Sequence, residues 1–135
     1  SRIMAESFKF ELVSPERKLA SIAATSVQIP GMEGDLTAMP EHAPFLTTLR
    51  PGLVRVVAGG ETSEYIVTGG FAEISPDAAS VLAEQAVPRS EADAMLLDRL
   101  TEEVEAAFEE ALEDAKLAAG QRVRDVLALR GQLGL

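Results

Sequence analysis

Few side chains in this chain can support chemistry, and most of them fall in two short runs, Gly31-Met32-Glu33-Gly34-Asp35 and Pro40-Glu41-His42-Ala43-Pro44. His42 is the single histidine and stands beside Glu41, an arrangement that suits a general base or a pH-dependent switch. Between two prolines, it reads more simply as a turn residue whose ring bonds the local backbone. Glu33 and Asp35 could be paired catalytic carboxylates or part of a cation site. Flanked by Gly31 and Gly34, they fit better as charges at an exposed loop tip. No G-x-S-x-G elbow presents a nucleophile and no P-loop is present. Gly59-Gly60 and Gly69-Gly70 do not make a dinucleotide fingerprint. Without cysteine, thiolate metal sites and disulfides are excluded, and one histidine excludes a multi-histidine centre. A carboxylate-only Mg²⁺ or Ca²⁺ site stays open, but no catalytic residue, metal site or cofactor is expected.

These residues sit in a segment, 31 to 52, that is punctuated by Gly31, Gly34, Pro40, Pro44, Pro51 and Gly52. Glycine accepts backbone angles that other residues resist, and proline fixes φ and removes a donor. Such a segment is shaped by its backbone and holds its charges at defined places. It describes a docking surface more readily than a pocket.

The elements on either side follow two different periods. Phe8, Phe10 and Leu12 alternate with Lys9 and Glu11, and Val27 and Ile29 alternate with Ser26 and Gln28, which predicts half-buried strands. Phe45, Thr47 and Leu49 suggest a further strand. Leu53 to Ala58 and Glu61 to Val67 flank Gly59-Gly60 as a hairpin. Gly69-Gly70 precedes Phe71–Ser75, and Pro76-Asp77 turns into Ser80–Ala83. Turn signals at intervals of roughly 8–12 residues predict an antiparallel sandwich or barrel over residues 1–87, and no helical pattern alternates with the strands.

After Pro88 the period becomes helical. Ser90 and Asp93 form a weak capping box, and Leu97, Leu100, Val104, Ala107, Phe108, Ala111, Leu112, Ala115 and Ala118 make one apolar stripe. Lys116 and Gly120 read as stop signals, followed by a second, shorter helix from Arg122 to about Gly131. Residues 88–135 are thus expected to form an antiparallel helical hairpin. Its Ala-rich seam fits either packing within the chain or a lightly held arm that engages another protein.

The net charge of −10 is unevenly placed. Residues 1–90 carry 11 acids and 7 bases, residues 91–119 carry 10 and 2, and residues 120–135 carry 1 and 3. A phosphate backbone or an anionic membrane would be repelled by most of this surface, so nucleic acid is not expected as a partner. No run of about 18 apolar residues exists, so no direct membrane insertion is expected. Met4 reads as the natural first residue, and Ser1 to Ala5 lacks the pattern of a secretory signal. A reducing compartment is expected.

The segments in series resemble the epsilon chain of bacterial F-type ATP synthase, called delta in mitochondria. The matching elements are Gly31-Met32-Glu33-Gly34-Asp35, Pro40-Glu41-His42-Ala43-Pro44, Leu49-Arg50-Pro51-Gly52, Gly69-Gly70-Phe71 with Glu73, and Val81-Leu82-Ala83-Glu84. Their order and spacing, with the acidic helical tail, extend the likeness over nearly the whole chain. The resemblance implies an α+β protein with a β-sandwich of about ten strands and a C-terminal two-helix hairpin. It implies a non-catalytic rotor subunit of the central stalk, peripheral to the cytoplasmic face of the bacterial inner membrane. It also implies that the sandwich grips the γ subunit, that Met32, Glu33, Gly34 and Asp35 meet the c-ring, and that His42, Ala43 and Pro44 lie near the same contact.

Two family properties are not expected. Some epsilon chains bind ATP through Ile/Leu-Asp-x-x-Arg-Ala, but neither Asp98 nor Asp125 has arginine three residues on. In members that inhibit ATP hydrolysis, the C-terminal helix reaches the α and β subunits partly through basic residues. Only Arg122, Arg124 and Arg130 could do so here, so inhibition is expected to be weak or absent. The alternatives are an unrelated β-sandwich adaptor whose acidic hairpin binds a basic partner and, third, a small hydrolase using His42.

Overall fold

The computed structural model describes residues 6–135; the expected start at Met4 lies outside them. The chain divides into two compact units, one running to Arg89 and one beginning at Ser90.

The first unit is a β-sandwich of eight strands: β1 (Phe8–Val13), β2 (Lys18–Ala24), β3 (Ser26–Gly31), β4 (Gly34–Ala38), β5 (Phe45–Thr48), β6 (Gly52–Ala58), β7 (Glu61–Ile74) and β8 (Ala78–Pro88). The hydrogen-bonded order is β2-β1-β8-β7-β6-β3-β4, with β5 paired to β7, and every pair is antiparallel except β1 with β8. Strands β2 and β6 meet across the core. The period-2 runs behave as their spacing predicts: Phe8, Phe10, Leu12, Val27, Ile29, Val54 and Val56 are all buried in one apolar cluster. Each such side chain contributes about 1.5–3 kcal/mol through burial.

The strand count is eight among the described residues rather than about ten. The main reason is β7. Gly69-Gly70 does not end a strand; both glycines take positive φ, 62° and 98°, inside a single strand of 14 residues. Pairing with β8 keeps one register on both sides of this kink, with Thr68 opposite Gln85 and Gly70 opposite Ala83. Before the kink β7 pairs with β6, and after it with β5. A Cβ on Gly70 would stand 2.0 Å from the Leu82 carbonyl oxygen, so this close approach excludes any other residue. Strand β5 also departs from expectation: Phe45 and Leu46 are both exposed, and only Leu49 beyond its end is buried.

The second unit is a pair of helices in contact, α1 (Ala94–Glu110) and α2 (Lys116–Leu133). Asp93, not Ser90, is the N-cap of α1; its carboxylate accepts the Leu96 N–H at 2.9 Å. The expected stripe is cut short, because α1 leaves helical geometry at Ala111 (ψ 139°) and only Leu97, Leu100 and Val104 on it are buried. Lys116 and Gly120 are not stops. Lys116 opens α2 and its ammonium reaches back to the Phe108 and Glu109 carbonyls, satisfying the end of α1. Gly120 lies within α2, where a Cβ would come to 3.3 Å from the Phe108 ring. A Gly in a helix costs about 1 kcal/mol relative to Ala, and here an added Cβ would press on that ring. Helix α2 passes through Gly131 and ends at Gly134, which takes φ 71° as a left-handed cap.

Candidate functional site

Strands β3 and β4 form a hairpin with Pro30 opposite Asp35 and Gly31 opposite Gly34, leaving Met32 and Glu33 as its two-residue tip. Only Gly34 takes positive φ there, at 137°. Gly31 admits no side chain, since a Cβ would stand 2.8 Å from the Gly34 carbonyl oxygen. The tip is exposed, and Glu33 has no hydrogen bond or ion pair among the described residues.

The hairpin is a supported finger rather than a free loop. The Met32 N–H donates to the Thr48 carbonyl at 2.9 Å, and Gly31 makes a bridge with Leu49. The Arg50 N–H donates to the Pro30 carbonyl at 3.0 Å, and its Nε donates to the Gly31 carbonyl at 3.0 Å. Its Nη2 pairs with the Asp35 carboxylate. Glu33 and Asp35, adjacent carboxylates in the sequence, therefore stand in different surroundings. Glu33 is bare at the tip; Asp35 lies on β4 in an ion pair.

His42 occupies the far end of β4. Met39, Pro40, Glu41 and His42 form a turn closed by the His42 N–H to the Met39 carbonyl at 3.1 Å. Glu41 takes φ 67° in it, the one positive φ at a non-glycine among the described residues. The Glu41 N–H donates to the Pro76 carbonyl at 2.8 Å, which ties the turn to the β7–β8 connection. The His42 ring bonds the local backbone: Nδ1–H donates to the Ala43 carbonyl at 2.6 Å. Ala43 and Pro44 are exposed.

The three basic residues of α2 differ from one another. Arg130 is spent inside its own unit, donating to Thr101 Oγ1 at 3.1 Å, to Asp98 at 2.9 Å and to the Leu135 carbonyl at 3.3 Å. Arg124 donates to Gln121 at 2.9 Å, and Arg122 is half-buried. Among the described residues no group of three or more His, Asp and Glu is placed to hold a metal ion, and no helix is long and apolar enough to cross a membrane.

Arg50 and Glu41 are the site residues that spacing alone does not reveal. Arg50 reaches its partners 15 and 19 residues away, beyond any local period. The signal for Glu41 was the proline before it, which favours a turn at that position.

The first unit is thus a kinked β-sandwich that presents a backbone-supported finger, and the second a pair of helices in contact. Residues 7–89 match the family described as ATP synthase, Delta/Epsilon chain, beta-sandwich domain. The chain is 51% identical over 131 residues to the ATP synthase epsilon chain of Fuscovulum blasticum, covering 97% of this chain and 99% of that one. It is 46% identical over 132 residues to that of Rhodobacter capsulatus, covering 98% and 100%. A chain in the Euglena gracilis mitochondrial ATP synthase OSCP/F1/c-ring assembly shares the fold, with a TM-score of 0.72 at 22% identity over 94% of this chain and 81% of that one. One in the Tetrahymena thermophila central stalk/c-ring does so with a TM-score of 0.67 at 14% identity, over 94% and 96%. The chain belongs to the ATP synthase epsilon chain family, and its place is that of a non-catalytic subunit of the F-type enzyme.

Proposed function

We propose that this chain couples the γ subunit to the c-ring during proton-driven ATP synthesis. In this reading the sandwich grips γ, and Met32, Glu33, Gly34 and Asp35 meet the polar loops of the ring. His42, Ala43 and Pro44 lie at a second point of the γ and ring contact. The complex sits at the bacterial inner membrane, with this chain peripheral on the cytoplasmic face. The observation that carries the reading is the finger: a carboxylate at an exposed tip whose base is fixed by backbone bonds to Thr48, Leu49 and Arg50. A rotor contact must transmit torque without yielding, and a hairpin braced against a second strand is suited to that. Carboxylates at such a contact give orientation and specificity more than raw affinity.

The helical unit from Ser90 to Leu135 has a minor regulatory role at most. Of the three arginines that could reach the α and β subunits, Arg124 and Arg130 already have partners within it.

The test uses the assembled enzyme in membrane vesicles. Reversing Glu33 and Asp35 together to Lys is expected to abolish assembly or to uncouple ATP hydrolysis from proton pumping. Normal assembly with wild-type pumping in that variant would refute the contact. Deleting residues 90–135 is expected to leave ATPase activity nearly unchanged, and a several-fold rise would refute the weak-regulation reading.

A further inference from the structure

Arg50 touches both strands of the finger. Its Nε holds the carbonyl of Gly31 at the end of β3, its Nη2 holds the carboxylate of Asp35 on β4, and its own N–H holds Pro30. The guanidinium is a planar fork whose donors have fixed relative directions. Bonds to both strands therefore set the angle at which Met32 and Glu33 project. The same bonds give Asp35 a counter-ion within the hairpin, while Glu33 faces solvent with no ion pair among the described residues.

We propose that Arg50 is the positioning residue of the finger, with Asp35 as its internal counter-ion, so that Glu33 is the one carboxylate the finger offers to a partner. The partner chemistry follows from the tip. An exposed thioether at Met32 beside an unpaired carboxylate fits a lysine or arginine set next to a small apolar surface. This rests on the reading above that the finger is a contact surface.

The experiment has two independent readouts on the full-length chain. One is rebinding to membrane-bound enzyme stripped of this subunit, at low and high salt. The other is hydrogen exchange of the Met32 amide in the isolated chain, which needs no partner. Glu33→Gln is expected to weaken rebinding about 5-fold and to flatten its salt dependence, with Met32 exchange unchanged. Asp35→Asn and Arg50→Gln are each expected to speed Met32 exchange. The double variant should be no worse than either, because both changes break one unit. Arg50→Lys keeps the charge without the fork and should recover only part of the protection.

Two results overturn the proposal in distinguishable ways. If Asp35→Asn flattens the salt dependence as Glu33→Gln does, while exchange is unchanged in both Asp35→Asn and Arg50→Gln, Asp35 contacts the partner itself. The finger would then remain a contact surface and the positioning role would fall. If Glu33→Gln and Asp35→Asn both leave rebinding untouched, the contact reading fails and takes the assignment of Glu33 with it.

Discussion

The turn at Met39–His42 carries a cost that one substitution should remove. Proline at its second position, positive φ at its third and the His42 N–H to Met39 carbonyl bond make it a type II turn, whose third position favours glycine. Glu41 fills that place at φ 67°. A side chain in the left-handed region costs about 1–2 kcal/mol, and the extra backbone freedom of an unfolded glycine takes back about 0.5–1 kcal/mol. Glu41→Gly is therefore expected to stabilise the sandwich by about 0.5–1 kcal/mol, or roughly 2–5 °C in Tm. The bond from residue 41 to Pro76 is made by the backbone N–H, so every variant keeps it. Glu41→Ala is the control: it deletes the carboxylate, retains the strain and should gain nothing. Tyr65, the single tyrosine, packs against the sandwich core, so its fluorescence through a urea titration reports this unit. If Glu41→Gly is no more stable than Glu41→Ala, the turn is unstrained and the reasoning is wrong.

Gly70→Ala should be among the most damaging single changes to the sandwich. Its Cβ would meet the Leu82 carbonyl oxygen at 2.0 Å, and loss of soluble protein or of at least about 3 kcal/mol in urea unfolding is expected. Thr68→Val removes a buried hydroxyl that has no hydrogen-bond partner among the described residues, at a matching shape, and should raise stability by up to about 1 kcal/mol; a fall would mean the hydroxyl is satisfied in solution. Lys116→Met takes away the cation that holds the Phe108 and Glu109 carbonyls and lies 4.5 Å from the Phe108 ring, and helical circular dichroism should melt earlier, by about 1 kcal/mol.

The strands that the sequence made legible are those with large alternating side chains. Phe8, Phe10 and Leu12, or Val27 and Ile29, have one face to bury and one to expose, and local spacing says so. Strand β2 gave no such signal because Leu19-Ala20-Ser21-Ile22-Ala23-Ala24 is mostly small and its buried positions do not alternate cleanly. Strand β4 begins with Gly34 and Asp35, both poor strand formers, and exists because β3 lies beside it to pair with. Gly69-Gly70 reads as punctuation in any local window; only the partner β8, in one register on both sides, makes it the middle of a strand. The helical break is the reverse case. Residues 111–115 contain neither glycine nor proline, yet α1 ends there. Glu109 and Glu110 crowd the negative end of its dipole, whereas Glu113 and Asp114 precede α2, where the dipole favours them.

The same distinction governs the finger. Spacing of two places Glu33 and Asp35 together as a carboxylate pair, and in an uninterrupted strand they would share a face. Gly34 at φ 137° breaks that equivalence: Glu33 belongs to the tip and Asp35 to the strand behind it. What separates their roles is a guanidinium 15 residues further on, and no local pattern encodes a contact at that distance. Types and turns in the sequence group these residues at one exposed hairpin end. Which of them is free to bind and which supports the fold is set by tertiary pairing. Glu33 should accordingly accept neutral substitution without loss of stability, whereas equal changes at Asp35 and Arg50 should loosen the finger itself.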